Sequence, residues 1–391
     1  MVVEPLSIIV DEQIAYADKV FSKFGNILLV DGRTIDKEKV KNADILLVRS
    51  VTKVDESLLE NTKIKFVGSA TSGIDHIDTD YLEESNISFS YAPGSNANSV
   101  AEYVLNSLIA KSQNSKPSFS LSDKKIGIIG YGQVGSRVKH FMDIFDVKCL
   151  LNDPPLFDKT NDQSFVDLEE VLQSDIVTLH VPLTKISEYP TYNLVSDNFL
   201  EKLNPNTIFI NTSRGEVVNE KALLSFKKNN PEATLILDVW HDEPNINIDL
   251  LEKVFIGTPH IAGYSREAKI RATKMLFDAL KKFFKTNFNY PKLAEEENIS
   301  IIPNVSNPDR IIESIILQHW NISEDNISFP HYSNLSDNER PLFYDSLRKN
   351  YPIRYEFSNR FIDINQCNNT NIFDDSTVDN LKRLGFKLKK T

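Results

Sequence analysis

Cysteine is nearly absent: the 391 residues contain two, Cys149 in an apolar run and Cys367 in a polar stretch. Two isolated cysteines make no disulfide framework, and without a CxxC or Cys/His cluster there is no sequence basis for a metal site. Long hydrophobic runs are also missing. No segment approaches the roughly 18 apolar residues that span a bilayer. The opening stretch MVVEPLSIIVDEQ has no basic leader and is interrupted by Glu4 and Asp11, so it reads as a first strand and not a secretion signal. A cytoplasmic protein without membrane association is the expectation. Basic residues are in deficit, 44 Lys and Arg against 55 Asp and Glu, for a net charge of −11. That argues against a nucleic-acid partner, which calls for a basic face, but not against an anionic ligand, because a local arginine cluster overrides the mean field.

What is present is an ordinary globular composition, 41% hydrophobic and 25% charged, in a chain long enough for two or three domains. The apolar runs LSIIV, NILLV, ADILLVRS and IKFVGSA read as buried strands, separated by the helical stretches DEQIAYADKVFSKF and DESLLENT. A second series runs KKIGIIG, VKCLLND, DIVTLHV, TIFINTS, TLILDVW and VFIGTPH. The fold class is therefore α/β, with two doubly wound parallel-sheet domains. Their link is NANSVAEYVLNSLIAK, residues 96–111, where Asn98 or Ser99 would cap a helix reinforced by Glu102. A long amphipathic helix, SREAKIRATKMLFDALKKFF, ends near Thr286. Residues 288–391 are richer in Asn, Ser and Asp, include an Asn-rich patch near 365–371, and read as a small C-terminal α+β module.

Gly130, Gly132 and Gly135 form GxGxxG directly after the strand-like IGII and before the helical QVGSRVKHFMDIF. In that setting the first glycine makes a tight turn, the second admits backbone amides to a pyrophosphate, and the third lets helix and strand approach. Asp153 ends the next strand. A carboxylate there holds the adenosine ribose hydroxyls and repels a 2′-phosphate, so the expected cofactor is NAD.

Three further residues follow strand-like runs: Arg214 after IFINTS, Glu243 after LILDVW, and His260 after FIGTP. Strand carboxyl ends are where doubly wound sheets bind ligands. A guanidinium holds a carboxylate bidentately, an imidazole exchanges a proton near neutrality, and a carboxylate orients the imidazole. Together they suit hydride transfer at a hydroxy-acid carbon. Arg49 and Ser50 after ILLV, with Lys53, and Thr71 and Ser72 after FVGSA, are placed to hold an anionic end of the substrate. Tyr264 is a further candidate for substrate contact, and Arg348 and Lys349 for a phosphate. Asp75 and His76 resemble a second acid/base pair but read better as the cap of the helix IDTDYLEES, and His180 reads as a strand-end residue near the cofactor.

GIIGYGQVG, HVPLT, INTSRGEVVN, DVWHDEP and TPHIAG resemble the successive signatures of the D-2-hydroxyacid dehydrogenases over roughly residues 45–275. The resemblance implies a flavodoxin-like substrate-binding domain, residues 1–97 completed by 267–287, and a Rossmann NAD-binding domain, residues 98–266. It implies that Arg214 binds substrate, that Glu243 orients His260, and that His260 is the acid/base. Gln133, Val134, Asp153, Val181, Thr212, Ser213, Asp238 and Gly263, with the glycines, would line the cofactor. LLVRSVTKV, VGSATSGIDHID, EYPTYNL, HIAGYS and SLRKNYPIRYEFS resemble one branch of the family. That branch implies a small phosphorylated hydroxy acid as substrate and a C-terminal dimerisation domain, residues 288–391, in a homodimer; by their position after strands or beside His260, Arg49, Ser50, Thr71 and Tyr264 are the residues expected to bind that substrate. Another family member of the 3-phosphoglycerate or D-lactate type, or a non-catalytic NAD(H)-sensing corepressor-like protein, are the competing readings.

Overall fold

Strands buried on both faces read as continuous apolar runs, and the computed structural model places strands where those runs lie; NILLV, expected to be buried, is the exception, an edge strand whose Leu28 and Leu29 are exposed. It describes residues 5–293, 300–304, 307–367 and 373–389; of the Asn-rich patch, residues 368–371 lie outside the described residues. The chain divides into two units, Met1–Asn96 with Ser265–Glu296, and Ala97–Tyr264 with Glu297–Thr391.

The first unit holds a five-stranded parallel sheet of β1 (Leu6–Asp11), β2 (Gly25–Val30), β3 (Ile45–Val48), β4 (Phe66–Ser69) and β5 (Ser88–Tyr91), in the order β2-β1-β3-β4-β5. Successive side chains alternate between faces. Ile8, Val10, Ile45 and Leu47 pack with Leu276, Phe277 and Leu280 of the helix Arg266–Phe283, whereas Ile9, Leu46, Val48 and Val67 pack with Val40, Leu58 and Leu82 on the other side. That helix starts where Ser265 accepts from the Ala268 amide, a cap worth about 1 kcal/mol. The strand order is that of the flavodoxin-like fold. Its switch point lies between β1 and β3, so Arg49, just past β3, sits where such sheets bind ligands.

The second unit holds a six-stranded parallel sheet of β6 (Lys125–Ile129), β7 (Lys148–Asn152), β8 (Ile176–Leu179), β9 (Ile208–Asn211), β10 (Thr234–Leu237) and β11 (Ile256–Gly257). The order is β11-β10-β9-β8-β6-β7, with its switch point between β6 and β8. The C-terminal residues add a parallel three-stranded sheet, β12 (Ser300–Ile301), β13 (Phe361–Asp363) and β14 (Lys387–Lys389), in that order. Among the described residues this module's apolar side chains are shared with the second sheet: Ile315, Ile316, Phe357, Ile362 and Leu384 belong to one apolar cluster with Ile126, Ile176, Ile208 and the helix Ala97–Asn114.

Two expected caps are elsewhere. Asn98 and Ser99 lie inside the helix that starts at Ala97. Ser99 donates instead to Glu356 Oε1, and Glu102 accepts from the Phe357 amide, so tertiary partners in the C-terminal module claim both polar groups. Asp75 and His76 do not cap Thr79–Glu84; Asp78 does, accepting from the Tyr81 amide.

Candidate active site

The glycine loop has the geometry its spacing predicts. Gly130 takes φ +88°, and a Cβ there would stand 2.6 Å from the His180 carbonyl oxygen. A Cβ at Gly135 would meet the Gly130 carbonyl at 2.0 Å, so only glycine lets the helix start this close to β6. Gly132 has nothing within 4 Å of the corresponding position and precedes the 12-residue helix Gln133–Ile144, which has no side-chain cap. Open space beside an uncapped helix N-terminus, where the helix dipole favours negative charge, fits the pyrophosphate of a dinucleotide. Asp153 closes the far side of this loop: one carboxylate oxygen accepts from the Tyr131 amide at 2.8 Å and the other from Leu156 at 3.0 Å. Val181 follows β8, half-buried against the Gly130 turn.

Arg214 is fixed by its own turn. Asn211 Oδ1 accepts from the Ser213 amide and hydroxyl, Asn211 Nδ2 donates to the Arg214 carbonyl, and Arg214 Nη1 donates to the Ser213 carbonyl at 2.7 Å. Next to it, a Cβ on Gly215 would stand 2.0 Å from the Trp240 carbonyl. The Arg214 turn therefore lies flush on the segment leading to Glu243, which is why glycine follows the arginine. Thr212 Oγ1 stands 3.3 Å from His180 Nδ1, and Thr178 Oγ1 stands 3.0 Å from its Nε2. Desolvation holds His180 down to about 3, so it stays neutral and is not a proton carrier at working pH.

His260 and Glu243 are joined directly: Nδ1 and Oε2 are 2.9 Å apart. A carboxylate only accepts, so Nδ1 carries the proton and Nε2 keeps its lone pair. Glu243 Oε1 accepts from the Trp240 amide at 2.8 Å. Burial pushes the Glu243 carboxyl up, but His260, Arg348 and the Trp240 amide outweigh it, and its net direction is below the ordinary carboxylate value. His260 takes φ 57°, a left-handed backbone that costs a non-glycine residue about 1 kcal/mol and persists only where neighbours enforce it. The enforcer is Asp238. Its buried carboxylate accepts from Thr258 Oγ1, the Ile261 amide and the Ala262 amide, while its carbonyl accepts from the His260 amide at 2.7 Å. Burial raises the Asp238 carboxyl, with those partners opposing it. Both of its oxygens are thus directed at the histidine loop, a role the sequence did not disclose. On the same loop, Gly263 is half-buried and Tyr264 stacks under the Arg348 guanidinium, 5.5 Å from its ring centre.

In the first unit, Arg49 Nε is bonded to the fully buried Asp11 carboxylate at 3.2 Å, which orients the guanidinium at the switch point. Ser50 beside it is exposed. Thr71 Oγ1 is 2.6 Å from Ser69 Oγ, which is 2.8 Å from His76 Nε2, so His76 belongs to a hydroxyl network past β4. Lys53 is 81% exposed and paired with Asp55, an ordinary solvated lysine.

Among the described residues no helix is long and apolar enough to cross a membrane. Burial pushes the Cys149 thiol up to about 12, which leaves it unreactive.

Residues 95–262 match the family described as D-isomer specific 2-hydroxyacid dehydrogenase, NAD binding domain. Two curated relatives are both named erythronate-4-phosphate dehydrogenase. That of Shigella flexneri serotype 5b (strain 8401) is 37% identical over 97% of this chain and 98% of its own length. That of Marinobacter nauticus is 38% identical over 98% and 99%. Among solved structures, cofactor-bound 3-phosphoglycerate dehydrogenase of Entamoeba histolytica superposes with a TM-score of 0.62 at 25% identity, covering 74% of this chain and 99% of its own. D-lactate dehydrogenase of Aquifex aeolicus, complexed with NAD and lactic acid, gives 0.62 at 24%, covering 71% and 95%.

Proposed function

The chain belongs to the D-isomer specific 2-hydroxyacid dehydrogenase family, and from that premise we propose how its residues oxidise 4-phospho-D-erythronate to (R)-3-hydroxy-2-oxo-4-phosphooxybutanoate, a step of pyridoxal 5′-phosphate biosynthesis. The observation that supports the chemistry is the 2.9 Å Glu243–His260 pair, which joins the loops after β10 and β11 of the second sheet. Arg214 holds the substrate carboxylate through a guanidinium whose turn is already locked by Asn211. His260 Nε2 accepts the C2 hydroxyl proton, and the Glu243 carboxylate stabilises the imidazolium that forms. When bound, NAD supplies the hydride acceptor.

The glycine loop, with Gln133 and Val134 at the helix start, is assigned to the pyrophosphate. Asp153 is assigned to the ribose, and Val181, Thr212, Ser213 and Gly263 to the remainder of the cofactor. Asp238 acts there through the loop it holds. Tyr264 contacts substrate. Arg49, Ser50 and Thr71 take its phosphate, supported by the placement of Arg49 at the switch point of the first sheet. Residues 1–97 completed by 267–287 serve as a substrate-binding domain, residues 98–266 as an NAD-binding domain, and residues 288–391, of which Glu297–Thr391 belong to the second unit, as a C-terminal dimerisation domain. Leu342 and Ile353, exposed at 72% and 69%, support a homodimer through that last domain, and the site of action is the cytoplasm. Complementation tests the reading: the chain should restore growth without vitamin B6 to a bacterium lacking its own enzyme for this step, and His260→Asn should not. Absence of rescue by the well-expressed native chain contradicts it.

A further inference from the structure

The Glu243–His260 hydrogen bond spans two loops, so its length depends on whatever fixes each loop separately. Beside Asp238 and the Trp240 amide, several partners come from the C-terminal module of the same unit.

On the Glu243 side, Tyr332 is fully buried. Its hydroxyl accepts from the Ile246 amide at 3.0 Å and donates to the Pro244 carbonyl at 2.8 Å. One oxygen thus bridges the two residues that straddle Asn245, immediately after the catalytic carboxylate. Phe329 packs edge-on against Trp240, with ring centres 5.7 Å apart, and so backs the residue whose amide holds Glu243 Oε1.

On the His260 side, Asn326 Oδ1 accepts from the Gly257 amide at 2.8 Å, and its Nδ2 donates to the Phe255 carbonyl at 3.3 Å. These contacts hold β11, the strand that delivers His260. Arg354, 5% exposed and stacked 4.2 Å over Trp320, donates through Nη2 to the Ala262 carbonyl at 2.5 Å and to Ser99 at 3.3 Å. Ala262 is the residue whose amide Asp238 holds. The histidine loop is therefore gripped at one peptide unit from both sides, by Asp238 on its amide and Arg354 on its carbonyl. Arg348 stacks on Tyr264 and lies 6.0 Å from the Tyr344 ring centre, which covers the end of the loop.

We propose that the C-terminal module is a brace for the catalytic pair of its own chain, with Tyr332 and Arg354 as positioning residues that set the Glu243–His260 distance. A module that served only to join two copies would have no use for paired contacts on the peptide units beside Glu243 and His260. Neither residue touches the reacting atoms. Each acts on the loop that presents one, and a displacement of an ångström at a catalytic group costs up to about a hundredfold in rate. The inference rests on Glu243 and His260 being the acid/base pair proposed above.

The test compares full-length native protein with Tyr332→Phe, Arg354→Met and Arg354→Lys. Rates are expressed per NADH-binding site. The readouts are kcat and KM for 4-phosphoerythronate, the NADH dissociation constant by fluorescence, and oligomeric state by sedimentation. The brace predicts that Tyr332→Phe lowers kcat about tenfold, with KM, NADH affinity and oligomeric state unchanged. It predicts a larger loss in Arg354→Met that Arg354→Lys partly restores. Unchanged kcat per site in Tyr332→Phe and Arg354→Met overturns it, as does a loss of kcat that follows dissociation of the oligomer. Should Arg354→Met not fold, Tyr332→Phe decides alone, since it keeps the ring and removes one oxygen. Native protein that binds NADH but does not turn over identifies a failure of the functional reading, not of the brace.

Discussion

Replacing Glu243 by glutamine removes a charge and almost no volume, and its cost follows from the geometry. In the proposed mechanism His260 becomes cationic as it takes the substrate proton, 2.9 Å from a carboxylate oxygen. Taking the charge centres as roughly 4 Å apart and an effective dielectric of about 20–40, the attraction is about 2–4 kcal/mol. The side chains are 31% and 19% exposed, so the pair is neither deeply buried nor fully screened. Because the attraction is realised only once the proton has moved, it belongs to kcat, as a loss of about 30–1,000-fold. The glutamine amide can also donate to Nδ1, which would force the proton to Nε2 and disable the base, an effect that pushes toward the upper end. The assay is steady-state reduction of the nicotinamide by Glu243→Gln, with KM for substrate and NADH affinity measured alongside. A kcat within about threefold of native, or a loss carried wholly by KM, refutes the reasoning.

Arg49→Gln should raise KM for 4-phosphoerythronate about tenfold or more and leave unphosphorylated erythronate little changed; equal losses remove Arg49 from the phosphate. Asp153→Ala should narrow the preference for NAD over NADP, and should also lower stability by about 1 kcal/mol because the Leu156 amide loses its cap. An unchanged cofactor ratio places the ribose contact elsewhere. Acid should weaken the fold through its neutral histidines. Desolvation holds His319 down to about 4, with Arg360 opposing its charge as well, and His180 down to about 3. Unfolded histidine binds its proton near its ordinary 6.5, so the unfolded state gains protons first. Stability is then full above that pH and declines as pH falls toward the folded values. Urea midpoints measured across that window should fall with acid, less steeply in His319→Gln; an identical slope in that variant contradicts the assignment.

The strands were readable because sheets covered on both faces demand unbroken apolar runs, and the nucleotide loop was readable because Gly130 and Gly135 face backbone that no side chain can approach. Strand β5, SFSY, offered no such run, since it is half-buried at the sheet edge. The start of the helix Ala97–Asn114 was misplaced because Ser99 and Glu102 look like capping groups while their partners, Glu356 and Phe357, lie some 255 residues away or more. The motif signatures pointed to Arg214, Glu243 and His260 as the proposed site, but what holds them was invisible. Asn211 and Asp238 sit within recognisable signatures, yet nothing in a linear pattern says that Asp238 faces the histidine loop. Tyr332 and Arg354 belong to a stretch with no chemical signature, and only folding brings them to Pro244 and Ala262.

The most direct measurement is the relative kcat/KM of the purified protein for 4-phosphoerythronate, 3-phosphoglycerate and D-lactate with NAD, using a carbonyl trap to draw the oxidation forward. Turnover should be strongly selective for 4-phosphoerythronate. Equal or greater kcat/KM for either of the other acids, or no turnover by protein that binds NADH, would contradict the proposed function.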